Sequence, residues 1–399
     1  MPDRNDRLIE HLRALTSNAP FFQRALAPEG RVEITGASVE ARALILAAMQ
    51  ETTRNRIAIV VPGDAAIDDF ESALRLFHRE PPCVSAYPSP SLSPYQELSA
   101  SLGIVREEVH ALGMLIDRSV DLLIIPARAL FARFPRAESF LSRIVRLSEG
   151  EDIDVQTTLQ ALVENGFVRT DLVGEAGEFA FRGGILDLFP PNAPKPLRVE
   201  LFGDTIDSLR WFEVESQRSE DESGPQTIMP MTQFPLTRET RHALARRLSL
   251  DFNHPIYKRD VAEKIERLNE NGTFPGAEHY IPAAIDSVSF AEYLDGWTLA
   301  LVEPDAITTT IAKYESLLRT EFEAASEKGR AVYAPEKLLT PGVEILSFIG
   351  TARVALSEVH IGRPVAPSVS EGSGREGGAN PLNRAPAPPD PLLTLGMTI

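Results

Sequence analysis

Hydrophobic and polar positions in the first third of the chain alternate between short apolar runs and amphipathic stretches. A helical pattern near residues 5–16 precedes a short strand, Arg31–Thr35, and a Gly-Ala-Ser turn. A helix from about Val39 to Met49 leads into Arg56–Val61, whose β-branched run fits a strand buried on both faces. After the turn Pro62-Gly63-Asp64 a helix runs to about His78, followed by the strand Val84–Tyr87, a Pro/Ser-rich loop and a helix around 97–116. The apolar strand Asp121–Ile125 closes this part. Repeated strand, turn and helix predict an α/β fold with a doubly wound parallel sheet.

The period changes near residue 150. Leu159–Asn165 reads as helix, and strands then dominate: Phe167–Thr170, Glu178–Arg182, Ile185–Phe189, Leu197–Phe202 and Ile206–Phe212, the last two joined by a Gly203-Asp204 turn. This stretch is expected to be a small α+β insert built on an antiparallel sheet. Helical patterns return at 238–249, 260–271 and 304–328, and the strand Trp297–Val302 between them is placed to rejoin the first sheet. The expected organisation is 1–150 for the first part of the main domain, 151–230 for the insert, 231–345 for the second part, and 346–399 for a linker and tail. From about 362 the tail is rich in Pro, Gly, Ser and Ala, a composition that cannot build a core, and disorder is expected there.

Composition narrows the chemistry. No apolar stretch approaches the ~20 residues of a membrane span, and the charged start MPDRNDRLIEHLRALT lacks the apolar core of a signal peptide. The single cysteine, Cys83, cannot form an internal disulfide, so a reducing, cytoplasmic setting is the expectation. Seven histidines are scattered without metal-ligand spacing, so structural or surface roles are expected for them, with neither a metal nor a cofactor. A net charge of −17 opposes binding to a phosphate backbone, which requires clustered Lys and Arg. Arg128 and Arg133 in PARALFARFPR offer a minor phosphate-touching patch, against the blander reading of a solvated helix face.

The segment GASVEARA, after the strand Arg31–Thr35, stands where an α/β NTPase places its phosphate loop. That loop needs backbone N–H groups around the phosphates, a lysine on the β/γ-phosphates and a Ser or Thr on magnesium. Gly36 is present, but Glu40, Ala41 and Arg42 end the loop, and the first lysine in the chain is Lys195. Arg42 carries a charge, yet its planar fork substitutes poorly for a point ammonium, and Glu40 repels phosphate. After Trp297–Val302, where an ATPase carries an acidic pair, Glu303 and Asp305 are separated by Pro304. Gly36, Arg42 and Glu303 therefore read as a degenerate nucleotide site. Taken singly, an acidic residue after a strand is a helix cap or surface turn. The expected fold class is a degenerate P-loop NTPase-like parallel sheet with an inserted antiparallel domain, and no ATPase activity is expected.

Residues 177–219, GEFAFRGGILDLFPPNAPKPLRVELFGDTIDSLRWFEVESQRS, carry the densest signal. They resemble the second domain shared by the excision-repair protein UvrB and the bacterial transcription-repair coupling factor. The ending Glu215-Ser216-Gln217-Arg218-Ser219 is closer to the coupling factor, as is the loop Tyr87-Pro88 with Ser91-Leu92-Ser93-Pro94-Tyr95. The hairpin with which UvrB probes damaged DNA has no counterpart. The resemblance spans roughly 5–350 and implies the amino-terminal, UvrB-like region of the coupling factor. The family's polymerase-interacting, translocase and autoinhibitory domains have no counterpart here, so RNA polymerase and DNA contacts are expected only through domains absent from this chain.

In the family the insert domain binds UvrA. The resemblance places that contact at Arg169 and Arg182, and Ala180 stands where UvrB carries a further arginine. In Glu178–Arg182 strand alternation puts Phe179 and Phe181 on one face and Ala180 and Arg182 on the other. The two phenylalanines are then either core or an interface anchor. Gly183 and Gly184 fit a turn, and Asp187, Arg198 and Glu200 fit cross-strand charge pairs. The leading expectation is a module that recruits UvrA for transcription-coupled nucleotide excision repair. The alternatives are a UvrB-like DNA-contacting scaffold and a cryptic nucleotide-binding repair factor.

Overall fold

A computed structural model of the chain describes residues 11–358 apart from 13, 15, 17, 27–29 and 78–83. Of the helix expected at 5–16, His11, Leu12, Ala14 and Thr16 are helical. The remaining expectations for that start, for His78, Cys83 and His360, and for the tail from 362 lie outside the described residues.

The first four strands are β1 (Val32–Thr35), β2 (Ile57–Val61), β3 (Val84–Ala86) and β4 (Leu122–Pro126). Ser38 caps the helix Val39–Thr53 between β1 and β2, its side chain accepting from Ala41 N. The helices Ile67–Leu76 and Leu102–Ile116 follow β2 and β3. Two short strands come next, β5 (Arg133–Phe134) and β6 (Val145–Leu147), and then the insert: the helix Val155–Glu164 and strands β7 (Val168–Arg169), β8 (Glu178–Arg182), β9 (Ile185–Leu188), β10 (Leu197–Phe202), β11 (Thr205–Phe212) and β12 (Ser219–Glu222). β13 (Gln226–Ile228) pairs antiparallel with β6, so entry to and exit from the insert are zipped together. After the helices Arg238–Asp251 and Lys258–Asn271, β14 (Val288–Ser289) pairs with β5. β15 (Thr298–Val302) and β16 (Val354–Ser357) return to the first sheet on either side of the helix Pro304–Glu327.

The main sheet has the order β1-β16-β15-β2-β4-β3, with every neighbouring pair parallel. Its strands are apolar at both parities because both faces are covered. Ile57, Ile59, Val61, Leu122, Ile124 and Val302 enter one core, while Ala58, Val60, Leu123, Ile125, Leu299 and Leu301 enter the other. That division is the doubly wound arrangement, and β15 rejoins the sheet as its apolar run predicts. The sequence reading ends the domain at 345, and here the structure differs. A helix covers Gly342–Ile349, and β16 lies between β1 and β15 in the sheet. Its four residues are too short to announce themselves by periodicity and gain their place from partners on both sides.

The insert forms a second sheet of order β12-β11-β10-β9-β8-β7, antiparallel except for the β7–β8 pair. One face carries its own core, where Leu162 of the helix meets Phe167, Phe179, Leu186, Leu188, Leu197 and Val199. Side chains lock the insert to the main domain. Arg106 donates to the carbonyls of Pro191 and Ala193 at 2.8 and 3.0 Å. Gln233, on the chain leaving the insert, donates through Nε2 to Tyr87 Oη at 2.9 Å and Glu108 Oε2 at 3.0 Å. Arg143 holds Thr232 and the Gln233 carbonyl, and its burial pulls its pKa down to about 10.

Candidate functional site

The face of the insert sheet opposite its core is set by register. Arg182 pairs with Ile185 and Ile185 with Glu200, and partners in adjacent strands point the same way. Two residues beyond Glu200 on β10, Phe202 returns to this face at the strand's end. The β8–β9 turn is Gly183-Gly184, both left-handed at φ 58° and 86°, which is the geometry a two-residue primed hairpin turn demands. Gly184 also accepts from Leu201 N at 2.8 Å, and a Cβ there would sit 3.3 Å from the Leu201 carbonyl oxygen. The two hairpin tips are thereby held side by side, with Arg182 and Ile185 on one and Phe202 on the other.

Arg182 is exposed, and among the described residues its guanidinium has no hydrogen-bond or ion-pair partner. Phe202 is 83% exposed. Arg198, further down the same face, is different. It grips Asp187 through both nitrogens at 2.7 and 2.8 Å, donates to Gln217 O at 3.1 Å and lies 4.8 Å from the centroid of Phe212. Its hydrogen bond and ion pair with Asp187 push its pKa up. Glu200 accepts from Ser208 at 3.0 Å. The cross-strand charge pairing expected of Asp187, Arg198 and Glu200 is thus present for Asp187 with Arg198 and becomes a hydroxyl contact for Glu200.

The remaining expected contact residues divide. Arg169 is exposed on the edge strand β7 and, among the described residues, unpaired. Its register partner is Phe179, so its parity is that of the core face, opposite to Arg182. A surface engaging both arginines has to wrap the β7 edge. Phe179 is 1% exposed inside the insert core, which removes it as an anchor for a partner. Phe181 is half-buried against the same core. Phe202 was not singled out in the sequence, although alternation in Leu197–Phe202 places Leu197, Val199 and Leu201 on one face and leaves this aromatic on the polar one.

At the expected nucleotide site, Gly36, Arg42 and Glu303 do come together. Arg42 Nη2 lies 2.7 Å from Glu303 Oε1, and Arg42 Nε donates to Ala37 O at 2.8 Å. The Gly36 N–H, which a phosphate loop would aim at its ligand, donates to Ser357 O at 2.9 Å. The Ser38 hydroxyl donates to Glu40 at 2.7 Å and holds that carboxyl below its ordinary range, keeping a negative charge on the loop. Glu303 precedes the helix Pro304–Glu327 at φ 60° without capping it and also accepts from Glu358 N at 2.7 Å. Arg128 and Arg133 form neither a phosphate patch nor a solvated face. Arg128 lies 4.4 Å from the Tyr314 ring centroid, and Arg133 donates to Ser287 Oγ at 3.0 Å and to its carbonyl at 3.1 Å. Among the described residues no group of His, Cys, Asp and Glu is arranged to hold a metal ion, and no helix is long and apolar enough to cross a membrane.

Comparison with known proteins follows the same lines. Residues 145–234 match the UvrB interaction domain family. The chain is 30% identical over 279 residues to a transcription-repair-coupling factor of Myxococcus xanthus, an alignment covering 67% of the chain and 23% of that protein. It is 27% identical over 377 residues to the transcription-repair-coupling factor of Mycobacterium bovis, covering 90% of the chain and 30% of the relative. For the Staphylococcus aureus RF122 protein of that name the figures are 29% over 227 residues, 57% and 19%. The chain therefore spans less than a third of the length of these relatives, and what it resembles is the amino-terminal, UvrB-like region of the transcription-repair coupling factor.

Proposed function

We propose that this chain is a protein-docking module of transcription-coupled nucleotide excision repair, which recruits UvrA through its insert domain and has no ATPase activity of its own. One observation carries the reading: an unpaired, exposed Arg182 beside a largely exposed Phe202, on the polar face of a domain that matches the UvrB interaction domain. Exposed aromatics and arginines are the residues that anchor interfaces, and a free guanidinium arrives with its donors unspent. Acidic groups on the partner are the fitting counterpart, through charge-assisted hydrogen bonds. Arg169 at the β7 edge supplies a second, separate contact.

The absence of ATPase activity is supported by Arg42, whose guanidinium is committed to Glu303 and Ala37 where a phosphate lysine is needed. Contacts with DNA and RNA polymerase are assigned to regions of the longer relatives that this chain does not match. The test is titration of purified UvrA against wild type, Arg182→Ala and Phe202→Ala, with melting temperatures in parallel. Both variants should lose affinity while melting like wild type. Undiminished binding by both would place the docking surface elsewhere.

A further inference from the structure

A cavity of about 390 Å³ opens where three segments meet: the proline-rich loop after β3, the chain leaving the insert at Met231–Leu236, and the turn Ala277–Ala283. Close-packed interiors leave few voids larger than a water, and this volume falls within the range of small-molecule sites. Apolar side chains, among them Leu92, Leu102, Val105, Met231, Ile281 and Leu338, make most of the wall.

Two carboxylates, Glu108 and Glu278, stand among the polar groups of the wall. Glu108 Oε2 accepts from Gln233, and Oε1 has no hydrogen-bond partner among the described residues. Glu278 accepts from Ser99 at 3.0 Å and lies close enough to Glu108 to help raise its carboxyl. His279 keeps Nε2 buried without a partner, and burial favours its neutral form. Arg133, which also lines the cavity, is held by Ser287 through two of its nitrogens and keeps its positive charge. Once ionised, Glu108 and Glu278 outnumber the one guanidinium of the wall, so they disfavour an anion, and a neutral apolar guest cannot satisfy them.

We propose that this cavity is a binding site for a small apolar or aromatic molecule carrying a protonated amine or amidine, with the cation paired to Glu108 and Glu278 and the body against the apolar wall. The wall draws on both the main domain and the segment leaving the insert, so an occupant would stiffen the joint between them. The proposal is independent of the docking surface on the far hairpins.

Benzamidine is the probe, with benzyl alcohol and benzoate as neutral and anionic controls, titrated calorimetrically into the full chain. Benzamidine should bind about tenfold more tightly than benzyl alcohol, a difference of about 1.4 kcal/mol, and benzoate should not bind. Glu108→Gln should erase the preference, as should Glu278→Gln, whose half-buried side chain makes it the safer variant for folding. Ala100→Trp, at the cavity wall, should abolish binding of both ring compounds. Equal affinities for benzamidine and benzyl alcohol, no benzamidine binding at about 10 mM, or a preference that survives both carboxylate variants would overturn the site.

Discussion

Arg42 and Glu303, separated by 261 positions in sequence, meet at 2.7 Å across the ends of β1 and β15. The pair joins the helix that follows β1 to the residue that follows β15, and each neutralises the charge the other would offer a nucleotide. Magnesium-ATP should therefore neither raise the melting temperature nor be hydrolysed. Differential scanning fluorimetry with and without the nucleotide checks this. A rise in melting temperature that disappears in Arg42→Ala would contradict it.

The two arginines on the polar face of the insert sheet should behave oppositely in stability. Arg198→Ala strips Asp187, which is 7% exposed, of both its donors. It should cost about 2–4 kcal/mol, because a buried charge left alone is expensive. Arg182→Ala should change stability by less than about 0.5 kcal/mol. Urea unfolding of both variants measures the difference.

Affinity for UvrA should reverse that order for Arg182. Its loss should cost on the order of 2 kcal/mol if the partner desolvates it, and Phe202→Ala a similar amount. Arg169→Ala, on the opposite parity and at the sheet edge, should cost less and add independently to Arg182→Ala. A double-mutant cycle by calorimetry checks this, and strong coupling between the two arginines would mean they grip one group together.

The chain's stability should fall between about pH 4.5 and pH 7. Burial pushes the Glu108 carboxyl up to about 7, helped by the neighbouring carboxylates Glu278 and Glu107 and opposed by the Gln233 hydrogen bond. Gln233, on the segment leaving the insert, donates both to it and to Tyr87 of the main domain. The folded chain thus holds a proton that the unfolded chain releases in that window. The contribution is whole below about 4.5 and lost as pH rises through about 7, amounting to at most about 3 kcal/mol. Glu108→Gln should flatten this part of the profile and melt above wild type at about pH 8. Parallel pH dependences would refute the assignment.

Duplex DNA should bind weakly at about 150 mM salt, since −17 of net charge opposes approach to phosphate and Arg128 and Arg133 are held internally. Fluorescence anisotropy over a salt series measures it. Sub-micromolar binding with a steep salt slope would favour a DNA-contacting scaffold.

What the sequence determined by itself was the order and type of the longer elements. Two-faced apolar runs such as Ile57–Val61 and Leu122–Pro126 can only sit in a covered parallel sheet, and the strict alternation of Leu197–Phe202 can only sit in a half-covered one. The absence of any lysine before Lys195 was equally legible, because it is a fact of composition. Tertiary structure decided what depends on partners. β16 is a strand because β1 and β15 flank it, and Phe179 is core because the helix Val155–Glu164 covers its face. Arg198 and Arg182 are the same residue type on one face, yet only cross-strand register gives one of them an aspartate and leaves the other facing solvent. Local pattern fixes which way a side chain points. Which group it meets is settled by chain segments far away in sequence, and no local period records them.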